Sequence, residues 1–566
     1  MTMRHDTEAQ DWPLRPWFMA AVCAGAGLAF SLLTDRNGAS ISIARQAAAT
    51  FVAIAAVAFV LTVEQRRWRW SLGFALGWGA VIALVGWFTA SYNRFPTIFE
   101  FPFLSGVFAV LLAAPLVQTV RDEGAWRFPY ARLHRHAWTD AVIGAASLAF
   151  VGITFLLAWL IAGLFDLIGI EVVKDLLKED WFGWMLAGFA FGAAVGLLRE
   201  RDALVGTLQR LVMVVLGVLA PVLAAALALF LVSLPFTGLS KLWDSAVPAT
   251  PLMLVAGAGA ILLANAVIGN GADDRATNRV LRASALALVL CVLPLAIIAA
   301  VSLGQRIGQY GWTPERIWGV VAVAVALVYG MVGWWSVAKG SVAFDDRLRP
   351  LQTKLALGMC GLALLLALPI FDFGAISARS QLDRLESGKV KAEEFDWTAM
   401  AFDFGKAGRN HLAEIEKFGP AGQRELAKAA LKSENRNALS TETESVAQQS
   451  RLDQYLRVLS PDVELTPELT SEITKGWQGC NDRPCALLRL DQNRLLLVTS
   501  LAGNNIVSSR IIYLDSLGKD QQDLASTSAR KAAVEGVDLK SVTIEIRTVQ
   551  RRQLFVDGKP VDDPFE

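Results

Sequence analysis

Residues 211–234 read LVMVVLGVLAPVLAAALALFLVSL and contain no charged side chain. An α-helix of about 20 apolar residues crosses the roughly 30 Å hydrocarbon core of a bilayer while satisfying its own backbone hydrogen bonds. This stretch is long enough to do so, and apolar residues would cover every face of the helix. We therefore interpret it as a transmembrane helix, and it decides the fold class.

Ten further segments of the same character precede and follow it. Their approximate cores are residues 17–33, 46–63, 70–90, 101–120, 141–165, 181–198, 250–269, 283–303, 317–338 and 355–371. None of the eleven cores contains Asp, Glu, Lys, Arg or His, which argues against a proton-driven pump. The sequence thus predicts a mainly α-helical fold, a polytopic transmembrane bundle of about eleven spans with a smaller soluble α+β domain at the C-terminus.

The overall composition agrees with a membrane protein. Hydrophobic residues make up 54% of the chain, charged residues only 19%, and the mean hydropathy is +0.42. The formal net charge is +1, and the basic residues fall in short clusters, so nucleic acid is not expected as a partner. The implied partner is the lipid bilayer, and the sequence indicates no cofactor.

Loop charge predicts the orientation of the bundle. The loops on the side of the N-terminus carry more than twice as many Lys and Arg residues as the opposite loops, which places the N-terminus in the cytoplasm. A cleaved signal peptide ending near Gly38 is an alternative, but an uncleaved first span is simpler. An odd number of spans then puts the C-terminal region outside the cytoplasm.

We predict five regions along the chain. They are a cytoplasmic tail (1–16), a transmembrane domain (17–372), a helical extracytoplasmic segment (373–436), a linker (437–460) and a small α+β domain (461–566). Strands are expected in ALLRL, RLLLVTS, SSRIIYLD, SVTIEIRTV and RQLFVDGKPV, with a hairpin turn at Asp557-Gly558. Cys480 and Cys485 occur as CNDRPC, and an oxidising compartment would let them form a disulfide. Their spacing does not fit a metal site.

The polar and aromatic stretch QYGWTPERIW (309–318) lies between two apolar cores. Thr313 suits an N-cap and Pro314 the first helical position, so most of this stretch is explained by a helix that begins at a membrane surface. A helix start does not explain all of the charged residues in and near this stretch, and these resemble the charged residues of the loop near residue 94. We predict either a structural clamp or a ligand-binding site at these positions, comprising Arg94, Glu100, Arg306, Tyr310, Glu315 and Arg316, and no catalytic or metal-binding residues.

On these residues the chain resembles bacterial inner-membrane proteins of the family known as domain of unknown function 4153. The resemblance rests on QYGWTPERIW, on the layout of many spans, and on the segment ISARSQLDRLESGKVKAEEFDWTAMAFDFGKAGR (376–409). It implies a location in the bacterial inner membrane, so that the C-terminal region predicted above to lie outside the cytoplasm would be periplasmic. It implies no reaction or substrate, and the β-rich C-terminal end lies outside it.

Gly188, Gly192 and Gly196 recur every four residues in one span, so we predict a close helix–helix contact along that face, within the chain by default. For function we expect a non-catalytic envelope sensor or scaffold whose external module binds an envelope protein or lipid. The alternative is a transporter or channel for a neutral or lipid-like solute, suggested by the prolines within the spans. An envelope enzyme would require the charged residues of the outer loops to converge. The sequence does not define an oligomeric state.

Overall fold

The structure of the protein is a computed structural model. It describes residues 12–35, 41–90, 96–238, 248–271, 274–340, 343–392, 394–437, 439, 452, 455–460, 462–474, 479–480, 484–501, 506–516, 532–533, 552–556 and 559–565. The chain divides into two compact units. The first comprises Met1–Lys389 with Ala399–Leu431, and the second comprises Val390–Thr398 with Lys432–Glu566.

In the part of the chain that the structure describes, twelve helices form the bundle of the first unit. They are α1 (Arg15–Thr34), α2 (Ile43–Thr62), α3 (Trp68–Ala90), α4 (Pro96–Glu123), α5 (Tyr130–Asp166), α6 (Val172–Lys178), α7 (Asp180–Glu200), α8 (Asp202–Thr237), α9 (Ala249–Ile268), α10 (Arg279–Tyr310), α11 (Pro314–Gly340) and α12 (Phe344–Ala367). Among the described residues, eleven of these helices, all except α6, are long and apolar enough to cross a membrane. The predicted polytopic bundle is confirmed, and the protein is a membrane protein.

Most helices extend beyond the apolar cores that identify them at one or both ends, whereas α12 ends at Ala367, before the last residue of its predicted core at 371. The core at residues 211–234 lies within α8, which continues to Thr237 and ends at Gly238, a residue with φ 74°. Local signals also set helix starts: the side chain of Asn278 accepts a 2.8 Å hydrogen bond from the backbone N–H of Val280 at the beginning of α10. Capping side chains and left-handed glycines therefore determine where several spans begin and end.

The largest apolar core lies among α8, α9, α10, α11 and the start of α12. Leu288 and Leu295 of α10 are 0% and 1% exposed in its middle. Large apolar side chains also point outward, such as Leu229 at 72% exposure. This distribution suits a bundle in a bilayer, because lipid is as apolar as the interior and helix packing depends on close fit.

After α12 the chain continues, within the same unit, as a helical cap. The cap consists of α13 (Phe373–Glu386), a π-helical turn (Ala399–Asp403), α14 (Gly405–Phe418) and α15 (Ala421–Lys432). The side chain of Asp372 caps α13 by accepting a 2.8 Å hydrogen bond from the backbone N–H of Ala375. Gly374 lies so close to the carbonyl oxygen of Phe404 that a Cβ atom there would be 2.6 Å from it, so α13 and α14 pack backbone against backbone.

The second unit contains a five-stranded sheet in the order β1 (Leu456–Val458), β2 (Cys485–Arg489), β3 (Arg494–Leu501), β4 (Ile506–Tyr513) and β5 (Ala532–Ala533). Strands β1 and β2 are parallel and the other pairs antiparallel. Helix α16 (Pro467–Thr474) covers the sheet through Ile473, which is fully buried with Leu487 and Leu495. Strands β6 (Arg552–Val556) and β7 (Lys559–Phe565) pair with each other in antiparallel orientation. The predicted α+β character is confirmed, whereas the predicted strand SVTIEIRTV and the Asp557-Gly558 turn lie outside the described residues.

Candidate functional site

The stretch QYGWTPERIW forms the turn between α10 and α11, as its helix-start signals predict. Gly311 ends α10 with φ 75°, and its N–H donates to the carbonyl of Ile307 at 2.8 Å. Thr313 accepts a 3.4 Å hydrogen bond from the N–H of Arg316, and Pro314 is the first residue of α11. The turn is therefore built by local capping, and its carbonyl oxygens face outward for other partners.

Helix α13 of the cap supplies those partners. The side-chain amide of Gln381 donates to the carbonyls of Tyr310 and Trp312 at 2.9 and 3.0 Å. Arg384 donates to the carbonyl of Gln309 at 2.6 Å, and the N–H of Trp312 donates to the hydroxyl of Ser380 at 3.3 Å. These three side chains follow helical spacing, so one face of α13 binds the turn. We call this set of contacts the cap lock.

Gly311 makes the close approach of α13 possible. A Cβ atom at this position would lie 2.7 Å from Cδ of Arg384 and 2.8 Å from Nε2 of Gln381. Its positive φ also disfavours any residue with a side chain. The close approach of α13 and the positive φ of the turn therefore both require glycine at position 311.

Arg316 also binds the turn. Its guanidinium donates to the carbonyls of Gly311 and Tyr310 at 2.7 and 3.2 Å and lies 5.6 Å from the centre of the Tyr310 ring. Glu315 attracts this guanidinium electrostatically, whereas Arg306 and Arg384 repel it. Arg316 therefore uses its charge to hold the backbone of the turn and to pack on Tyr310.

The other predicted members of this site are partly described. Arg306 and Glu315 are exposed. Arg94 lies outside the described residues, and Glu100 belongs to α4 with a side chain outside them. The clamp of Arg94, Glu100, Arg306, Tyr310, Glu315 and Arg316 stays a prediction, in which the described contacts connect Tyr310 with Arg316.

A small cavity lies beneath the turn. It has a volume of about 240 Å³ and is lined largely by apolar residues of α3, α11 and the chain between α12 and α13. Trp318 bounds it and packs against Phe101 at 5.6 Å and Phe373 at 5.5 Å between ring centres. The polar atoms at its edge come from Thr89, Asp372 and Lys406. The aromatic contacts join α4, α11 and α13 at one end of the bundle.

The predicted glycine stripe of α7 faces α1. A Cβ atom at Gly188 or Gly192 would overlap the carbonyl oxygen of Cys23 or Met19, and one at Gly196 would overlap Pro16. The backbones of α1 and α7 therefore touch over three turns, with Met19 and Cys23 fully or nearly buried between them. We call this contact the α1–α7 seam.

A buried charge network lies at the opposite end of the bundle, where α2, α4 and α7 end and α5 begins. Arg199 pairs with Asp140 at 3.1 Å, and the amide of Gln118 donates to the same carboxylate at 2.8 Å. Arg121, only 3% exposed in its side chain, pairs with Glu64 and donates to the carbonyl of Thr62. These groups join five helices through ionic and backbone contacts, because Arg15 of α1 also donates to the carbonyls of Val63 and Arg199.

Sequence reasoning missed this network. The charges lie one or two residues beyond the apolar cores, in the last turns of α4 and α7 and about three turns into α5. Such positions are ordinarily occupied by side chains that extend into water. One signal was present in the sequence. Gln118 and Arg121 lie one turn apart on α4, a spacing that places two polar side chains on the same helix face.

In the second unit Cys480 and Cys485 form a disulfide, as predicted. Cys485 begins β2, and both residues are buried beside Ile473.

In the turn that follows β2, the Arg494 guanidinium, 2.6 Å from Asp491, holds the pKa of that carboxyl below its usual range. Within the described residues no group of three or more His, Cys, Asp and Glu side chains has the arrangement of a metal site.

Removing Gln381 should loosen the cap lock. Gln381→Ala deletes its two hydrogen bonds to the carbonyls of Tyr310 and Trp312, which costs about 2 kcal/mol of local stability. We expect amide hydrogen exchange in residues 373–386 to accelerate roughly 30-fold, measured by mass spectrometry of the purified chain. The control is Arg379→Ala, an exposed position on the same helix. Equal exchange in both variants would contradict the assigned role of Gln381.

Comparison with known proteins assigns a family without a named activity. No curated protein and no solved structure matches the chain. A family model described as "Domain of unknown function (DUF4153)" matches residues 47–404, which is more than half of the sequence and includes the turn at residues 309–318 and helix α13. The chain therefore belongs to the DUF4153 family.

Proposed function

We propose that this protein is a non-catalytic scaffold or sensor of the bacterial envelope. In this proposal the bundle resides in the inner membrane and presents the C-terminal module to the periplasm, where the module binds an envelope protein or a lipid. The observation that carries the proposal is the cap lock. The most polar stretch between the late spans uses its backbone carbonyls to hold α13, and its Arg316 binds carbonyls of the same turn.

The cap lock favours a scaffold for a mechanical reason. Side chains of Gln381 and Arg384 fix α13 to the α10–α11 turn, and Trp318 packs against Phe373 at the start of α13. The chain therefore leaves the last span in a defined direction and not as a free tether. A base of this kind suits a protein that must hold a module at the membrane surface.

Three features support the orientation. Basic residues are concentrated in the loops on the side of the N-terminus. The eleven candidate spans among the described residues are an odd number, which supports a cap on the side of the membrane opposite Arg15. The Cys480–Cys485 disulfide suits an oxidising compartment such as the periplasm.

The alternative is a transporter or channel for a neutral or lipid-like solute. Such proteins use broken helices at mid-depth, and α8 and α10 contain Pro221 and Pro294. The neighbours of these prolines favour packing over a solute path: Ala220 is 0% exposed, Val292 3% and Leu295 1%. Asn265 also has an internal partner, since its side-chain oxygen accepts a 2.6 Å hydrogen bond from Gln352 of α12.

Topology is tested with the full chain and reporters at both termini. A phosphatase that is active only in the periplasm should be active when fused after Glu566 and inactive when fused before Met1. A fluorescent protein that matures only in the cytoplasm should give the reverse pattern. Fluorescence from the C-terminal fusion, or thiols of Cys480 and Cys485 that react freely with maleimide in intact cells, would reject the periplasmic location.

The scaffold role is tested by complementation. We expect a strain lacking the gene to plate poorly on detergent, the full chain to restore plating, and a chain ending at Lys432, with the bundle and cap intact, to fail. Membrane levels of both chains are matched by immunoblot. Full rescue by the truncated chain, or wild-type plating of the deletion strain, would reject a role that depends on the C-terminal module.

A further inference from the structure

We propose that a groove at the end of α10 near Arg279 binds one anionic phospholipid. The groove has a volume of about 570 Å³ and lies among α10, the end of α11 and the start of α12. It belongs to the end of the bundle that also carries the buried charge network, and it is distinct from the cap lock. A volume of this size lies in the range of ordinary small-ligand sites.

The residues that line the groove change from basic to apolar along one face of α10. Arg279 and Arg282 occupy its first turn, followed by Ala283 and then Leu286. Positions three, four and seven residues apart share a helix face, so the two guanidinium groups lead directly into an apolar strip. The opposite wall is apolar and includes Val337 of α11.

This order matches the order of groups in a phospholipid. Each guanidinium carries five N–H donors in a planar fork, a geometry well suited to a phosphodiester. The apolar strip continues into the membrane-spanning part of α10 and would accept the upper part of an acyl chain. Phe344 at the start of α12 is 6% exposed and closes the base of the groove.

Charge in the neighbourhood favours an anion. The two nearest carboxylates on α12 are already paired, since Asp345 and Asp346 each lie 2.8 Å from the guanidinium of Arg349. Arg275 approaches Asp345 at 3.4 Å as well. Lys339 and Arg347, both exposed, add positive charge close by. Basic clefts between spans at the membrane surface are typical binding sites for anionic headgroups.

The test uses the purified full chain in detergent and native mass spectrometry. The probes are phosphatidylglycerol and phosphatidylcholine with identical acyl chains, each titrated against the protein. We expect one phosphatidylglycerol to bind with an affinity at least tenfold higher than phosphatidylcholine. Arg279→Gln with Arg282→Gln should weaken phosphatidylglycerol binding roughly 30-fold, because each basic residue near a membrane surface contributes about 1 kcal/mol, or about fivefold.

Two controls separate a specific site from general attraction. Arg66→Gln with Arg135→Gln removes the same charge from exposed positions at the same end of the bundle and should leave the binding constant within about twofold. Ala338→Trp fills the groove without changing charge and should weaken binding at least tenfold. Leu229→Trp, on a lipid-facing position of α8, should have no effect.

Each opposite outcome overturns the proposal. If the two lipids bind equally, or if both double-arginine variants lose the same phosphatidylglycerol affinity, the lipid surrounds the bundle without occupying a specific site. Inorganic phosphate is the last probe. If it displaces phosphatidylglycerol at millimolar concentration and Ala338→Trp has no effect, the arginines bind a free anion and the lipid assignment is wrong.

Discussion

Gly192→Leu should prevent the first and seventh helices from packing and remove most of the folded protein from the membrane. A Cβ atom at Gly192 already overlaps the carbonyl oxygen of Met19, and a rigid helix backbone cannot move aside without opening the whole α1–α7 seam. Overpacking at a backbone contact should cost at least about 3 kcal/mol. The measurement is the yield of monodisperse protein in detergent together with its melting temperature.

A matched control is available on the same helix. Gly183 of α7 has open space around its Cα, so Gly183→Leu should leave yield and melting temperature nearly unchanged. Gly192→Ala should be intermediate, because a single methyl group already overlaps the carbonyl. If Gly192→Leu and Gly183→Leu behave alike, helices α1 and α7 do not touch as described.

Breaking the buried Arg199–Asp140 pair should be the second most damaging change. The side chains are 11% and 13% exposed, so Asp140→Leu leaves a guanidinium without its counter-ion in a poorly solvated place. Loss of one partner of a buried pair costs about 3–5 kcal/mol. We expect a corresponding fall in the unfolding free energy, measured by reversible unfolding in mixed micelles.

The double variant decides between charge and packing. Arg199→Met with Asp140→Leu removes both charges and should recover most of the stability that Asp140→Leu loses. The control pair is Lys178 with Asp175 on α6, whose side chains are 58% and 60% exposed. Removing either of these should change the unfolding free energy by less than about 1 kcal/mol. A double variant as unstable as Asp140→Leu would show that Asp140 acts through its shape or through Gln118, not through its charge.

The spans were predictable because a backbone that crosses a bilayer must satisfy its hydrogen bonds within the same segment. A run such as residues 211–234 has no alternative to a membrane-spanning helix, and local signals such as Thr313 and Pro314 mark a helix start without reference to the rest of the fold. The strands around Leu487 and Leu495 were also predictable, because short apolar runs there are separated by the turn residues Asp491 and Asn493.

The partners of polar groups were not predictable from the same signals. Gln381 and Arg384 bind carbonyls about 70 residues away, and backbone acceptors carry no mark in a sequence. Arg121 and Asp140 resemble ordinary loop charges because their burial depends on how α2, α4, α5 and α7 converge. The stripe containing Gly192 indicated a close contact, but spacing alone does not identify α1 as its partner.

The α1–α7 seam has a consequence for biogenesis. The first helix leaves the ribosome long before the seventh, because contacting residues such as Met19 and Gly192 are about 170 positions apart in the chain. At ordinary synthesis rates the first helix waits roughly 10 to 30 s for its partner. During that interval its small residues face lipid or the insertion machinery. Nascent chains stalled before residue 180 should therefore retain an accessible first helix, and completion of the seventh should shield it.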